Sequence, residues 1–249
     1  MAVHTLKSLQ CDLSAMGLRG DETILVHSSM KRIGEVENRA DGVLDALSAF
    51  FAKGLLVFPA LTSVYVDHQL IHFEVKSTPT FTGILPELVR QRANVLRSLH
   101  PTHSLAALGR DAAAFVAGHE KYDTAFNRQG PFGRLYARGG KVLLIGVTLN
   151  CATCIHALEE WAHVPILSSE PLLIPSTGYD GKTLPIKVFW HTGAHSETFD
   201  RAFGILKNAN ALQTGRFGDA PTILLDCQKT EAVLLPLLTQ HPDFFKPEA

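Results

Sequence analysis

The sequence predicts a single compact α/β domain over residues 1–249, and three observations carry that expectation. Short apolar runs recur at Thr23 to Val26, Leu55 to Pro59 and Lys141 to Val147, each bounded by glycine, proline or polar residues. Such runs read as strands buried on both faces. They alternate with amphipathic helical stretches, in the strand–loop–helix–strand order of layered α/β folds. At 249 residues and 46% hydrophobic composition the chain can bury a sizeable core, and such folds run to roughly 250 residues as one domain.

The elements follow in order. An amphipathic helix opens the chain, with Leu6, Leu9, Leu13 and Met16 on one face. This stretch lacks the basic region, apolar core and small-residue cleavage site of a signal peptide. No apolar run approaches the roughly 20 residues that cross a bilayer, so a cytoplasmic protein without membrane contact is expected. Thr23 to Val26 forms the first strand, and His27-Ser28-Ser29 leaves it for a loop. Asp41 is placed to cap a helix that turns Val43, Leu44, Leu47 and Phe50 inward, and Leu55 to Pro59 follows as a strand. Leu61 to Pro79 is irregular, and a long loop in a compact domain reads as a lid or substrate wall.

Gly83 to Arg92 then reads as a helix, and His100-Pro101-Thr102-His103-Ser104 as a rigid turn between two short strands. A helix over Asp111 to Val116 and a proline-glycine turn lead through Gly139-Gly140 to the central strand at Lys141 to Val147. Asn150 and Thr153 are cap-type residues before the helix CIHALEEWAHV. LLIPSTG and TLPIKVFWH form a hairpin around Tyr179-Asp180-Gly181. A helix near Ser196 to Lys207, the strand TILLDC and a helix over Glu231 to Thr239 complete the chain, with no repeat or interdomain linker.

Charge and residue usage narrow the function classes. The formal charge is −1, from 23 basic and 24 acidic residues, which gives no electrostatic footprint for nucleic acid or an anionic membrane. The four cysteines fit reduced thiols, although Cys151 and Cys154 form a C-x-x-C. A zinc site would need two further ligands at comparable spacing, and a thioredoxin-like motif belongs near the start of a βαβ unit rather than after a late strand. His68/His72 and His191/His195 are pairs spaced by four. Without a nearby carboxylate ligand, and with 12 histidines in the chain, they are weak metal signals, and no metal is expected.

The chemistry concentrates after the central strand. Glu159 and Glu160 follow His156 at spacings of three and four, so either carboxylate can face the imidazole across one helical turn. A carboxylate that holds one ring N–H fixes the tautomer and leaves the other nitrogen to take a proton. The same spacing also fits a surface pair; the position just after a buried strand, where α/β folds place their sites, favours chemistry. The hydroxyls of His27-Ser28-Ser29, with Lys31 and Arg32 nearby, suit an anionic group, although an ordinary polar loop has the same composition.

Several segments together are similar to a known family. LVHSSMKRIG, STPTFTGILPELVR, RSLHPTHSLAALG, GPFGRLY, GKVLLIGV, the IHALEE helix and GRFGDAP resemble, in that order, the antibiotic N-acetyltransferases typified by aminoglycoside 3-N-acetyltransferases. The likeness runs from about Leu25 to Cys227. It implies a central mixed sheet with flanking helices, distinct from the common small (GNAT) acetyltransferase fold. It also implies acetyl-coenzyme A as donor, a small-molecule amine as acceptor, and leaves a homodimer open. By the resemblance His156 and Glu159 are the catalytic pair, with His27 beside them. Ser28, Ser29, Lys31, Arg32, His100, Thr102, His103 and Ser104 are the coenzyme candidates.

Transfer is expected to be direct, with Cys154 as a covalent nucleophile only in an alternative reading. Tyr65, Asp67, His68, Glu74 and His191 are the acceptor candidates. Polycationic aminoglycosides call for carboxylates, whereas this loop offers only Asp67 and Glu74 against Lys76. An amino sugar or other small amine with less charge therefore fits better. Two further classes remain as alternatives: a metal-dependent hydrolase using the histidine pairs, and a non-catalytic coenzyme-A-binding protein.

Overall fold

A computed structural model describes residues 3–63, 65–66 and 69–247. Helix α1 (Leu6–Ala15) starts in a capping box in which the Thr5 and Ser8 side chains satisfy each other's backbone N–H. Leu9 and Leu13 are buried and Leu6 is 41% exposed. At 3.6 residues per turn Leu6 falls at the margin of the apolar stripe, not within it. Strand β1 (Thr23–Ser28) runs on through His27 and Ser28, and α2 (Met30–Ile33) follows directly. Helix α3 (Arg39–Phe50) has Asn38, not Asp41, at its cap position. Asp41 lies in the first turn and pairs with Arg92 at 2.8 Å. Strand β2 (Leu55–Pro59) is buried throughout.

The irregular stretch carries three two-residue strands, β3 (Tyr65–Val66), β4 (Gln69–Leu70) and β5 (Phe73–Glu74). Helix α4 (Ile84–Val89), β6 (Leu96–Arg97), β7 (Leu105–Gly109) and α5 (Ala112–Val116) follow. The proline-glycine stretch before the central strand is itself helical, α6 (Pro131–Ala137). Pro131 occupies its first turn, where a missing N–H costs nothing. Strand β8 (Lys141–Ile145), α7 (Ile155–Trp161) and the hairpin β9 (Leu172–Thr177)–β10 (Thr183–Val188) stand as expected. A 3₁₀ turn at Ser196–Ala202 runs into α8 (Phe203–Asn208), then β11 (Leu212–Phe217), β12 (Ala220–Asp226) and α9 (Cys227–Gln240). Sequence reading had no strand for β11, and α9 starts earlier than expected because Asp226 caps it by accepting from the Lys229 N–H.

The main sheet has seven strands in the order β11-β12-β8-β1-β2-β7-β6. Its centre, β8-β1-β2, is parallel and its flanks are antiparallel, so the sheet is mixed. Alternate residues of the central strands feed two cores. Leu25, Val57, Val142 and Leu144 pack under α5, α6, α7 and α9, while Ile24, Val26, Leu143 and Ile145 pack under α1, α3 and α4. That period of two is the pleat, and burial on both faces is why these strands read as continuous apolar runs. A smaller sheet, β10-β9-β5, has its own core of Phe73, Ile174, Ile186 and Val188.

Candidate active site

Helix α7 carries two adjacent carboxylates that diverge by about 100° around its axis, and each takes a different histidine. Glu159 Oε2 lies 2.6 Å from His156 Nδ1, with the two side chains 2% and 12% exposed. Glu160 Oε1 lies 2.8 Å from His191 Nε2. The His156 and His191 rings meet edge to face at 4.7 Å, Phe126 stacks on His191 at 5.3 Å, and Phe199 packs against His156 at 4.9 Å.

Burial drives both members of the first pair toward their uncharged forms. It pushes the Glu159 carboxyl up to about 7 and holds the His156 ring well below its ordinary value, with His191 adding to the effect. Above that point the Nδ1–H donates to the carboxylate and Nε2 keeps its lone pair. Below it the pair has gained a proton and Nε2 is capped.

His156 lines a pocket of about 430 Å³. His27 and Ser28 enter it from the end of β1, where they pair in register with Leu144 and Ile145 of β8. His103, Asn150, Cys151 and Thr153 add polar wall, and Leu61, Phe81 and Val147 add apolar wall. The site therefore sits at the carboxyl ends of the central parallel strands. His27 is 7% exposed, burial lowers its pKa to about 4, and its Nε2 has no hydrogen-bond partner among the described residues. Leaving such a group unpaired costs about 1–3 kcal/mol.

The remaining coenzyme candidates divide. Ser29 extends the β1–β8 ladder through its N–H to Ile145 O at 2.9 Å. Lys31 and Arg32 are exposed on α2, outside the pocket wall. Gly146 lets α2 sit there: its φ is +64°, and a Cβ on it would meet Arg32 Cβ at 2.7 Å. Of the His100–Ser104 turn only His103 reaches the pocket. His100 Nδ1 accepts from the His103 N–H at 3.1 Å, and Thr102 Oγ1 bonds His103 Nδ1 at 2.9 Å. Ser104 Oγ accepts from Arg97 Nε at 2.8 Å and donates to Ala60 O at 2.6 Å. Arg97, 2% exposed, also donates to Ala60 O and Thr78 O and lies 4.9 Å over the Phe73 ring, tying the small sheet to the large one.

Of the acceptor candidates whose side chains are described, His191 alone is brought to the catalytic pair. Glu74 is exposed and accepts from Ser77 Oγ. Asp67 and His68 lie outside the described residues, and Tyr65 is described by its backbone only. Asn150 and Thr153 do not cap α7, which has Cys154 at that position and no side-chain cap. Asn150 Oδ1 instead accepts from the Asp200 N–H at 2.9 Å while Asp200 Oδ1 accepts from Leu149 N–H at 2.9 Å, locking the turn before α7 to the one before α8. Sequence reading passed over Phe81, Thr82, His119 and Phe126, since isolated residues on distant segments carry no spacing signal.

The thiols and histidine pairs are placed as follows. Cys154 is buried and its thiol is pushed up to about 12 by burial, which removes the thiolate a covalent mechanism needs. Cys151 and Cys154 are free thiols. His195 faces Glu197 at 3.1 Å and His72 faces Thr177 at 2.8 Å. Among the described residues no group of three or more His, Cys, Asp or Glu is arranged to hold a metal ion. Among them, too, no helix is long and apolar enough to cross a membrane.

Comparison with known proteins gives the arrangement a family. The family profile described as aminoglycoside 3-N-acetyltransferase matches residues 25–238. Aminoglycoside N(3)-acetyltransferase III of Serratia marcescens is 28% identical, over 96% of this chain and 98% of that protein. The solved structure of AAC-IIIb binary with CoASH superposes at a TM-score of 0.85 and 24% identity over 100% of both chains, a likeness of fold. Aminoglycoside acetyltransferase AAC(3)-IVa in complex with a gentamicin superposes at 0.85 and 26% identity, over 100% of this chain and 93% of that one. This chain belongs to the aminoglycoside 3-N-acetyltransferase family and is an acyl-coenzyme-A-dependent N-acetyltransferase.

Proposed function

We propose that the enzyme moves acetyl from acetyl-coenzyme A directly to a primary amine of an aminoglycoside, amino sugar or related small amine, with His156 as general base. The observation that carries this reading is the 2.6 Å bond between Glu159 and His156 Nδ1, which leaves Nε2 as the nitrogen able to take a proton at the pocket. A primary amine is mostly ammonium at neutral pH and cannot attack a thioester until it loses a proton. His156 removes it, and Glu159 holds the ring and offsets the imidazolium charge. The coenzyme bound in AAC-IIIb and the gentamicin bound in AAC(3)-IVa support the two substrate classes. A cytoplasmic location matches the supply of acetyl-coenzyme A.

The acceptor reading rests on charge. Among the described residues, those lining the pocket include no Asp or Glu, and Glu159 and Glu160 are already paired with histidines. A mono- or diamine therefore suits the site better than a polycation. Thiol release from acetyl-coenzyme A across aminoglycosides, amino sugars and simple amines, beside His156→Ala, tests both points. Acceptor-dependent release that vanishes in the variant supports the base. Equal release in both proteins removes His156 from the mechanism. A preference for tetra-amines over mono-amines overturns the charge argument.

A further inference from the structure

We infer that the His27 ring N–H is the oxyanion donor, binding the thioester carbonyl oxygen as negative charge develops on it during attack. The inference rests on the reading of His156 as base and adds the group that answers it across the pocket. Both rings line the same cavity. His27 Nε2 is buried without a hydrogen-bond partner among the described residues. His119, a fully buried ring, has Nδ1 on Ser98 Oγ at 2.8 Å and Nε2 on Ala125 O at 2.9 Å, while His100 and His191, each with one unpaired ring nitrogen among the described residues, lie outside this pocket's wall. Buried polar atoms are nearly always satisfied, so an unpaired one in the wall of a reaction pocket points to a ligand that pairs with it.

Several backbone donors nearby are engaged. At the start of α7 the N–H groups of Thr153 and Ile155 donate to Cys151 O and Ala152 O, each at 2.9 Å. Those of His156 and Ala157 donate to Thr153 O and Cys154 O at 3.2 and 3.1 Å. The Ser29 N–H belongs to the β1–β8 ladder. Burial also keeps His27 uncharged, so it donates a hydrogen bond without competing with His156 for the proton.

The step balances without any oxidant or metal. The amine lone pair attacks the carbonyl carbon, an N–C bond forms, and the C=O π pair moves onto the oxygen held by His27. His156 Nε2 holds the proton it took from the ammonium, and the second amine proton leaves to solvent. The oxygen pair then returns, the C–S bond breaks, and the leaving thiolate is reprotonated by the His156 imidazolium. His27 neither gains nor loses a proton.

The test compares His27→Phe, His27→Gln and His27→Ala with wild type for kcat, coenzyme A affinity by calorimetry and the pH–rate profile. Loss of one oxyanion donor predicts a fall in kcat of about 100-fold or more in His27→Phe, with coenzyme A affinity changed less than about threefold. His27→Gln restores an amide N–H near the position of Nε2 and should recover about tenfold of that loss. If His27→Phe does not fold, His27→Ala against His27→Gln carries the same comparison.

Unchanged kcat, a matching loss of coenzyme A affinity, or a glutamine variant no better than the apolar one overturns the assignment. The acidic limb of the pH profile separates this from the base reading. It should persist in every His27 variant, and its presence in His156→Ala would sink the base and leave His27 to stand on its own kcat.

Discussion

Two polar segments flank the reaction pocket, and the fold uses them in opposite ways. At the end of β1, His27 and Ser28 line the pocket, and His27 Nε2 has no partner among the described residues. In the turn between β6 and β7, Thr102 and Ser104 spend their hydroxyls on protein groups, and Ser104 with Arg97 ties two sheets together. His103 is the point where this second segment reaches the pocket. Histidines and hydroxyls occur in both segments, so residue type does not separate a site from a strut. Place separates them as well as pairing: His100 Nε2 in the second segment is also buried without a partner among the described residues but lies outside the pocket wall, whereas the unpaired His27 ring lines it.

The strongest test of that contrast acts at the pocket. His156→Ala should lower kcat by about 10²–10⁴-fold at pH 8, the usual contribution of a positioned base, and steady-state thiol release measures it. A residual rate within threefold of wild type would erase the functional side of the comparison. Glu159→Gln keeps the hydrogen bond but removes the charge, and should cost about 10- to 100-fold.

The pH dependence follows from the same pair. As pH falls through about 7 the buried pair gains a proton, so kcat should decline on the acid side of that value. The decline should shift in Glu159→Gln, and an unmoved limb in the variant would assign it to another group.

Stability should respond to acid through the histidines on both sides of the contrast. Burial lowers His27 and His119 from 6.5 to about 4 and holds His100 and His103 well below 6.5. A depressed histidine contributes stability that is fully present above its unfolded pKa and lost as pH falls toward the folded one. The melting temperature should therefore drop between pH 6.5 and about 4. Glu159, raised from 4.5 to about 7, acts in the opposite sense across that window, one group against several. A flat melting profile there would contradict the buried, neutral state of the cluster.

Ser104→Ala probes the strut. It strands the Arg97 Nε–H, so unfolding free energy should fall by about 1–3 kcal/mol, read by urea denaturation, while kcat holds within about twofold. A larger loss of kcat than of stability would move this residue to the functional side. The smallest effect is expected at Cys154, whose thiol the fold keeps protonated. Cys154→Ala should retain most of the activity, and abolished transfer in a folded variant would revive the covalent route.

Much of this was legible in the chain. The runs at Thr23–Val26, Leu55–Pro59 and Lys141–Val147 specify the parallel centre of the sheet, because strands buried on both faces must be apolar without interruption. The i,i+3 spacing of His156 and Glu159 fixed a carboxylate within reach of the ring, since one helical turn brings them together regardless of context.

Tertiary structure decided the rest. Helix geometry allowed either Glu159 or Glu160 to hold His156; burial of α7 against Phe199 on one side and the arrival of His191 on the other assigned one carboxylate to each ring. Helix α6 was hidden because Pro131 and Gly133 read as a turn, although Pro131 is well suited to a first helical turn. No spacing could bring His27 into the pocket that His156 lines, for β1 and α7 share that pocket only once β1 pairs with β8, the strand before α7. Local periodicity is written in the sequence because it reports burial of a single element; which polar atoms end without a partner is a property of how all the elements pack.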